Sequence, residues 1–397
     1  MKHESKGDAG EDYVNQLAYQ SYLKYWCYPN PKDISGDNKE ICDLLIPFRD
    51  KLIIISVKNH SFGGNYKRYK KRVIEKSTNQ LNGAERLLFN KQREIYIQHP
   101  DRNPELFDSS VYNKIYKITI NVGEQFEHYE FSDYHERKGF ISIFNKETFE
   151  AIISELDTIK DFVEYLDERE KLLTSGKTIT VKCKEIDLLA EYLMNARQFK
   201  IDYNASHIQE IILDLDGAWG KYNKSEQVRL KRDADKISYF IDHIVKTDIL
   251  VLPNGEVLAK ELMNLGRTER RSLAVTIMSL ISKCENMPGI LARRYSAYNG
   301  IGHLIIYYPP DQTEENVDQM IKLAMEIYAY KTNYREKEII CIAATKGLEQ
   351  YKFGMFVANP PIAPAAKAFL DKMIENLGWF KDMKVIYHVE KEYPDQK

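Results

Sequence analysis

The chain has 397 residues, of which 43% are apolar and 29% charged, with 57 basic against 59 acidic side chains and a formal net charge of −2. This is the composition of an ordinary globular chain, long enough for two or three domains, and it excludes disordered and collagen-like classes. Overall charge argues for no nucleic-acid partner, so only a local patch can carry such a claim.

In chain order, Glu11 to Trp26 reads as a helix, because Val14, Leu17, Ala18, Tyr22, Tyr25 and Trp26 recur at helical spacing. Pro29-Asn30-Pro31 ends it, and a polar loop covers 33–39. Two apolar strands are predicted at 41–47 and 52–58, joined by a tight turn at Arg49-Asp50. A basic, glycine-containing loop then leads into a helix from Val73 to Asn90. Ile118, Ile120 and Val122 alternate with polar residues and predict a strand over 115–122; a second is expected at 140–144. Helices follow at 147–156 and 159–172, with Asp157-Thr158 as the N-cap between them.

The texture changes at Thr174-Ser175-Gly176-Lys177, which predicts one domain over 1–175 and a second over 176–397. Beyond it, helical periodicity is clear at 184–199, 225–245, 268–284, 313–330 and 363–377. Apolar strands are expected at 248–252, 303–308, 338–344, 353–358 and 384–388. This is an α/β pattern to which no chemistry attaches. Arg267, Arg270 and Arg271 read as a solvated helix start, and Asp214-Leu215-Asp216-Gly217 as a turn.

Cys27, Cys42, Cys183, Cys284 and Cys341 form no Cys-x-x-Cys pair, so neither a zinc ribbon nor a disulfide framework is supported; their apolar flanks fit a reducing cytoplasm. The first eight residues hold no apolar signal-peptide core, and no apolar run reaches the roughly 18 residues of a membrane span. The expectation is a cytoplasmic protein without a membrane partner.

The chemistry concentrates in the 41–58 hairpin. Asp43, Ser56 and Lys58 are its polar side chains within two apolar runs, and a lysine after a run of aliphatic residues is costly unless its charge is used. A two-residue turn pairs Phe48 with Lys51, which sets Asp43 opposite Ser56 and puts Asp43, Ser56 and Lys58 on one face. An acid beside a lysine suits metal-assisted phosphodiester hydrolysis: the carboxylate holds a hard cation through oxygen and the lysine orients water or steadies negative charge. Glu11 and Gln80 lie on the apolar stripes of their helices, Glu11 with Val14 and Ala18, Gln80 with Ala84 and Leu87, and both are expected to point toward the same sheet edge.

Gly10-Glu11-Asp12-Tyr13-Val14, then Asp43, then Ser56-Val57-Lys58, then Gln80 in the next helix, resembles the PD-(D/E)xK nuclease superfamily, which includes restriction endonucleases, Holliday-junction resolvases and Mrr-like enzymes. The likeness covers residues 8–92 and extends loosely to 172. It implies a restriction-endonuclease-like α/β/α domain with a mixed sheet, followed by the second α/β domain, and hydrolysis of DNA with Mg²⁺ or Mn²⁺. By that likeness Asp43 and Glu11 bind metal, Lys58 positions water, Gln80 orients substrate or the metal shell, and Ser56 hydrogen-bonds within the site. It also implies a homodimer or higher homo-oligomer, since cutting both strands takes two sites, and a role in bacterial defence against foreign DNA.

One departure stands out. The superfamily has an acid two residues before the lysine, and here that residue is Ser56. Some members with serine there recruit a glutamate from the following helix; Glu75 fits by spacing but lies about 140° around a helix from Gln80. The loop after Lys58 carries Lys67, Arg68, Lys70, Lys71 and Arg72, with Tyr66 and Tyr69 interleaved, and suits phosphate contacts beside a cleavage site. Two other readings remain: a nucleic-acid-binding module that does not cut, and a regulatory or assembly protein driven by the C-terminal half.

Overall fold

The computed structural model describes residues 6–21, 24–90, 92–123, 130–136, 138–201, 210–284, 292–360, 362–381 and 391–394. The chain divides into two compact units, Met1–Arg229 and Leu230–Lys397. Both are mixed α/β.

The first unit opens with α1 (Lys6–Ser21), which buries Val14 and Ala18. The expected helix to Trp26 is shorter: Lys24–Trp26 is a separate 3-10 turn, with Trp26 edge-on to Phe48, and Tyr22 lies outside the described residues. Then come β1 (Tyr28–Pro29), β2 (Leu44–Phe48) and β3 (Lys51–Lys58). Phe48 pairs with Lys51 across the Arg49-Asp50 turn, the register that a two-residue turn requires. Pro47 is tolerated in β2 because two-residue β1 pairs only Leu44 and Leu45, leaving Pro47 on an edge.

The helix expected over 73–90 is the end of a π turn, Lys71–Glu75, running into α3 (Lys76–Leu88), and α2 (Tyr66–Lys70) precedes it in the segment expected to be loop. Asn65 caps α2 by accepting from the Arg68 N–H at 3.0 Å. A short hairpin of β4 (Tyr96–Ile97) and β5 (Glu105–Leu106) follows, with Asp101–Pro104 in its turn. β6 (Lys114–Asn121), β7 (Ser132–His135) and β8 (Gly139–Asn145) complete a six-stranded mixed sheet in the order β1-β2-β3-β6-β8-β7. β3, β6 and β8 are parallel and the outer pairs antiparallel. Leu52 and Ile54 meet Leu81, Ala84 and Leu88 of α3 in one core layer. α4 (Lys146–Glu155) packs with α1 through the Tyr13 hydroxyl, which donates to Glu150. Thr158 caps α5 (Ile159–Leu173), accepting from Asp161 at 3.0 Å.

The division at Arg229–Leu230 lies beyond the break expected at 174–177. Parallel strands β9 (Thr178–Val181) and β10 (Glu210–Leu213), with α6 (Glu185–Met194) and α7 (Ala218–Lys224), belong to the first unit. The physical reason is a buried ion pair. Arg169 of α5 donates to Glu185 of α6 at 2.6 and 3.0 Å, both side chains fully buried, and the Tyr165 hydroxyl donates to the same carboxylate at 3.0 Å. Tyr222 of α7 donates to Glu155 of α4 at 2.7 Å.

In the second unit α8 (Glu226–Asp235), which spans the boundary, leads through a 3-10 turn to α9 (Tyr239–Ile244). The strand expected at 248–252 is instead a π turn, Val245–Ile249, and an exposed bend before α10 (Gly255–Met263). Only Ile249 of its apolar residues is buried, and a Cβ on Gly255 would stand 1.8 Å from the Ile249 carbonyl, so the chain folds back there. α11 (Arg267–Cys284) does not open on solvated arginines: Arg267 and Arg270 pair with Asp242, Arg271 pairs with Asp235 at 2.9 Å, and all three are buried. β11 (Ala292–Tyr298), β12 (Ile301–Tyr307), β13 (Glu338–Ala344) and β14 (Tyr351–Val357) form one sheet in that order. α12 (Glu314–Lys331) crosses between parallel β12 and β13, and α13 (Pro364–Leu377) packs on it. The strand expected at 384–388 lies outside the described residues. Among the described residues no helix is long and apolar enough to cross a membrane.

Candidate functional site

The site is built at the C-terminal end of β3. Leu44 pairs with Ile55, so Asp43, one residue earlier, comes to Ser56. The Ser56 hydroxyl donates to Asp43 Oδ2 at 3.2 Å, and the Val57 N–H donates to the same oxygen. Lys58 Nζ donates to Ser56 Oγ at 2.6 Å and to the Val57 carbonyl at 2.9 Å, and stands 3.7 Å from Asp43 Oδ2. Asp43 and Ser56 are buried, and the Lys58 side chain keeps 13% of its surface. Burial lowers the Lys58 pKa, with Lys76 adding to the effect and Asp43 and Glu11 opposing it.

The neighbouring strand fixes the loop beyond Lys58. Asn121 pairs with Lys58 in register. Its Oδ1 accepts from the His60 N–H at 3.0 Å, and its Nδ2 donates to the His60 carbonyl at 3.1 Å and to the Tyr69 hydroxyl at 3.2 Å. Gly123 lies so close that a Cβ there would stand 2.5 Å from the His60 backbone. α3 is tied to the sheet by a 2.8 Å hydrogen bond between Ser77 and Thr119, and by Thr78 donating to Asp133.

Three cavities meet here. One of about 380 Å³ has Asp37, Lys39, Glu40, Asp43, Ser56 and Gln80 among its lining residues. Gln80 also lines a second, about 750 Å³, whose other walls are Arg68, Lys71, Arg72, Glu75, Lys76 and Asn79. Arg68 and Arg72 in turn line a third, about 230 Å³, with His60, Ser61, Gly63, Asn65 and Tyr69. Carboxylates and a basic groove therefore share a wall.

Each predicted side chain has a definite place. Asp43, Ser56 and Lys58 form one hydrogen-bonded unit. Gln80 is not on the inner stripe of α3, which is Ser77, Thr78, Leu81, Ala84 and Leu88; it is exposed, at the junction of two cavities. Glu11 acts electrostatically on both Lys58 and Glu40 but is not among the cavity's lining residues. The basic residues separate. Arg68, Lys71 and Arg72 line the groove, Lys67 is exposed outside these cavities, and Lys70 is held by Glu130 at 2.8 Å. Glu75 and Gln80 line the same groove despite their spacing, because regular α3 starts only at Lys76 after the π turn; Glu75 is not in the cavity that holds Asp43.

Sequence reasoning missed Glu40. Burial, and then the charges of the neighbouring Asp43 and Glu11, push its carboxyl up to about 7, with Lys32 opposing. The residue as a whole is exposed, so water screens part of this effect. Asn79 and the anchoring Asn121 were also missed; Asn121 carries a signal in hindsight, as the polar end of an apolar strand.

Among the described residues no group of three or more His, Cys, Asp or Glu side chains forms a metal cage. The donor set still fits Mg²⁺. That ion is commonly held by one or two carboxylates and completed by water and substrate phosphate, and here two carboxyls share a cavity with a hydroxyl and an amide. No family model, no curated protein and no solved structure matches the chain.

Proposed function

We propose that the first unit is a metal-dependent nuclease that hydrolyses DNA phosphodiester bonds, and that its sheet is of the restriction-endonuclease-like kind. The observation that carries this reading is the Asp43–Ser56–Lys58 hydrogen-bonded unit at a strand end, opening beside a basic groove. A helix ahead of the hairpin, and α3 crossing to parallel β6 and β8, support the fold assignment.

A bound divalent cation would lower the pKa of water and neutralise charge on the scissile phosphate. Asp43 and the cavity's other oxygens would hold it. Lys58, desolvated and fixed by Ser56 and the Val57 carbonyl, presents a cation donor where negative charge develops. Arg68, Lys71, Arg72 and Lys76 hold the phosphate backbone, and Gln80, between groove and cavity, orients the strand.

Plasmid nicking with Mg²⁺ tests the reading. Wild type is expected to nick and to stop in EDTA; Lys58→Ala should lose on the order of 10²–10³ in rate, the usual effect of removing one transition-state donor. Equal, metal-independent signal in both proteins would sink the enzyme claim. The serine at position 56 favours a second reading, a module that binds nucleic acid without cutting. Binding by wild type with no nicking at any Mg²⁺ or Mn²⁺ concentration would establish it.

A further inference from the structure

We infer that Glu40 is the second carboxylate of this site, holding the divalent cation with Asp43 in place of the acid that Ser56 lacks. The inference rests on the nuclease reading above and names a ligand that reading leaves open.

Asp43 alone is a poor ligand set, because Oδ2 is already committed to the Ser56 hydroxyl, the Val57 N–H and Lys58. A second carboxylate ligand is sought among the residues of the same cavity. Glu75 lines a different cavity, and Glu11 does not line this one. Asp37 does, but it is paired with Lys39 at 2.5 Å and accepts from that residue's N–H at 3.3 Å. Glu40 lines the cavity with Asp43, Ser56 and Gln80.

The backbone holds Glu40 there. Residues 39–43 run antiparallel to 30–33. The Ile41 N–H donates to the Pro31 carbonyl at 2.8 Å, the Asp33 N–H to Lys39 at 3.0 Å, and the Asn30 N–H to Asp43 at 3.0 Å, with a bridge between Lys32 and Glu40. Two carboxyls lining one cavity suit a hard cation, which takes oxygen ligands.

The test is Mn²⁺ binding to the full chain at constant pH, by calorimetry and by the loss of the free-ion paramagnetic signal, with circular dichroism confirming each fold. Glu40→Gln should weaken Mn²⁺ at least tenfold, and Asp43→Asn should abolish binding. Asp37→Asn, on the same cavity but neutralised by Lys39, should stay within twofold of wild type. If wild type binds through Asp43 and nicks DNA while Glu40→Gln binds as tightly, the inference falls and the nuclease reading stands. If Glu11→Gln abolishes binding and Glu40→Gln does not, Glu11 is the second ligand and the inference again falls. If wild type neither binds Mn²⁺ nor nicks, both fall together.

Discussion

The Arg169–Glu185 pair decides where the first unit ends, and it can be broken on purpose. Both side chains are fully buried. Arg169 also donates to Ser142 at 3.0 Å and to the Phe131 carbonyl, and its guanidinium lies 4.8 Å from the Phe144 ring centre. Arg169→Met leaves Glu185 buried with Tyr165 as its remaining hydrogen-bond donor from this cluster. Removing one partner of a buried pair costs about 3–5 kcal/mol, against a total of about 5–15 kcal/mol for a domain. With a urea slope of about 2 kcal/mol/M, the midpoint of the first unit should fall by roughly 1.5–2.5 M. The double variant Arg169→Met with Glu185→Leu should recover much of the loss, because it leaves no uncompensated charge. Urea titration of the full chain, read by tryptophan fluorescence and circular dichroism, measures both. A fragment of residues 1–175 lacks Glu185 and should show the same defect, so nuclease tests belong on a fragment reaching Arg229 or on the whole chain. A loss under about 1 kcal/mol for Arg169→Met, or a 1–175 fragment as stable as the intact unit, would refute the reasoning.

Two further outcomes follow from the same geometry. In anisotropy titrations of duplex DNA against salt, Lys71→Ala should flatten the log–log slope by about 0.9, the share of one phosphate contact. Lys70→Ala, whose ammonium is already held by Glu130, should barely change it. His303 on β12 is fully buried, and burial lowers its pKa to about 4. The unfolded chain binds that proton near 6.5 and the folded chain near 4, so stability is full above 6.5 and is lost as pH falls toward 4. The loss should reach about 2 kcal/mol at pH 5 relative to neutral pH, and His303→Leu should remove this pH dependence in urea titrations of the second unit.

How much of this could be read from sequence depended on how local each cause is. The β2–β3 hairpin is a short-range object, two apolar runs around a two-residue turn, and its register delivers Asp43 to Ser56. The N-cap at Thr158 is equally local. Asn299-Gly300 is a short-range hairpin signal in the second unit; both residues take positive φ, and the signal marks the β11–β12 turn that periodicity alone passes over. The apolar 248–252 run could not declare its state, because short apolar runs fit a strand or a helix end equally well. Arg169, Arg267, Arg270 and Arg271 defeat sequence patterning for one common reason. An arginine is placed outside by default, and only distant partners, Glu185, Asp242 and Asp235, make burial affordable. The domain break at 174–177 failed on the same ground: a composition change is visible in sequence, while a buried ion pair across it is not. Glu40 was hidden because nothing periodic marks the 33–42 loop, and its position depends on the pairing of 39–43 with 30–33.

The blandest account of Asp43 and Lys58 is an ion pair that holds the end of a hairpin, and the first unit contains its own standard for such a pair. Arg169 and Glu185 meet at 2.6 and 3.0 Å with no exposed surface. Lys58 and Asp43 do otherwise. Their charges stand 3.7 Å apart, the closest ammonium contacts go to a hydroxyl and a carbonyl, and the lysine side chain keeps 13% of its surface exposed. Burial depresses the Lys58 pKa, so the fold maintains a cation at a cost that the pairing does not offset. Nearby, the charges of Asp43 and Glu11 act on Glu40 more strongly than the opposing Lys32. A desolvated lysine beside Asp43, and two carboxyls and a basic groove sharing Gln80 as a wall, favour a site that takes ligands over one that only closes a sheet. Ser56 belongs to that arrangement. A second acid at its position would draw Lys58 to itself, whereas the hydroxyl links Asp43 to Lys58 without adding charge and leaves the negative charge to face the cavity from Glu40.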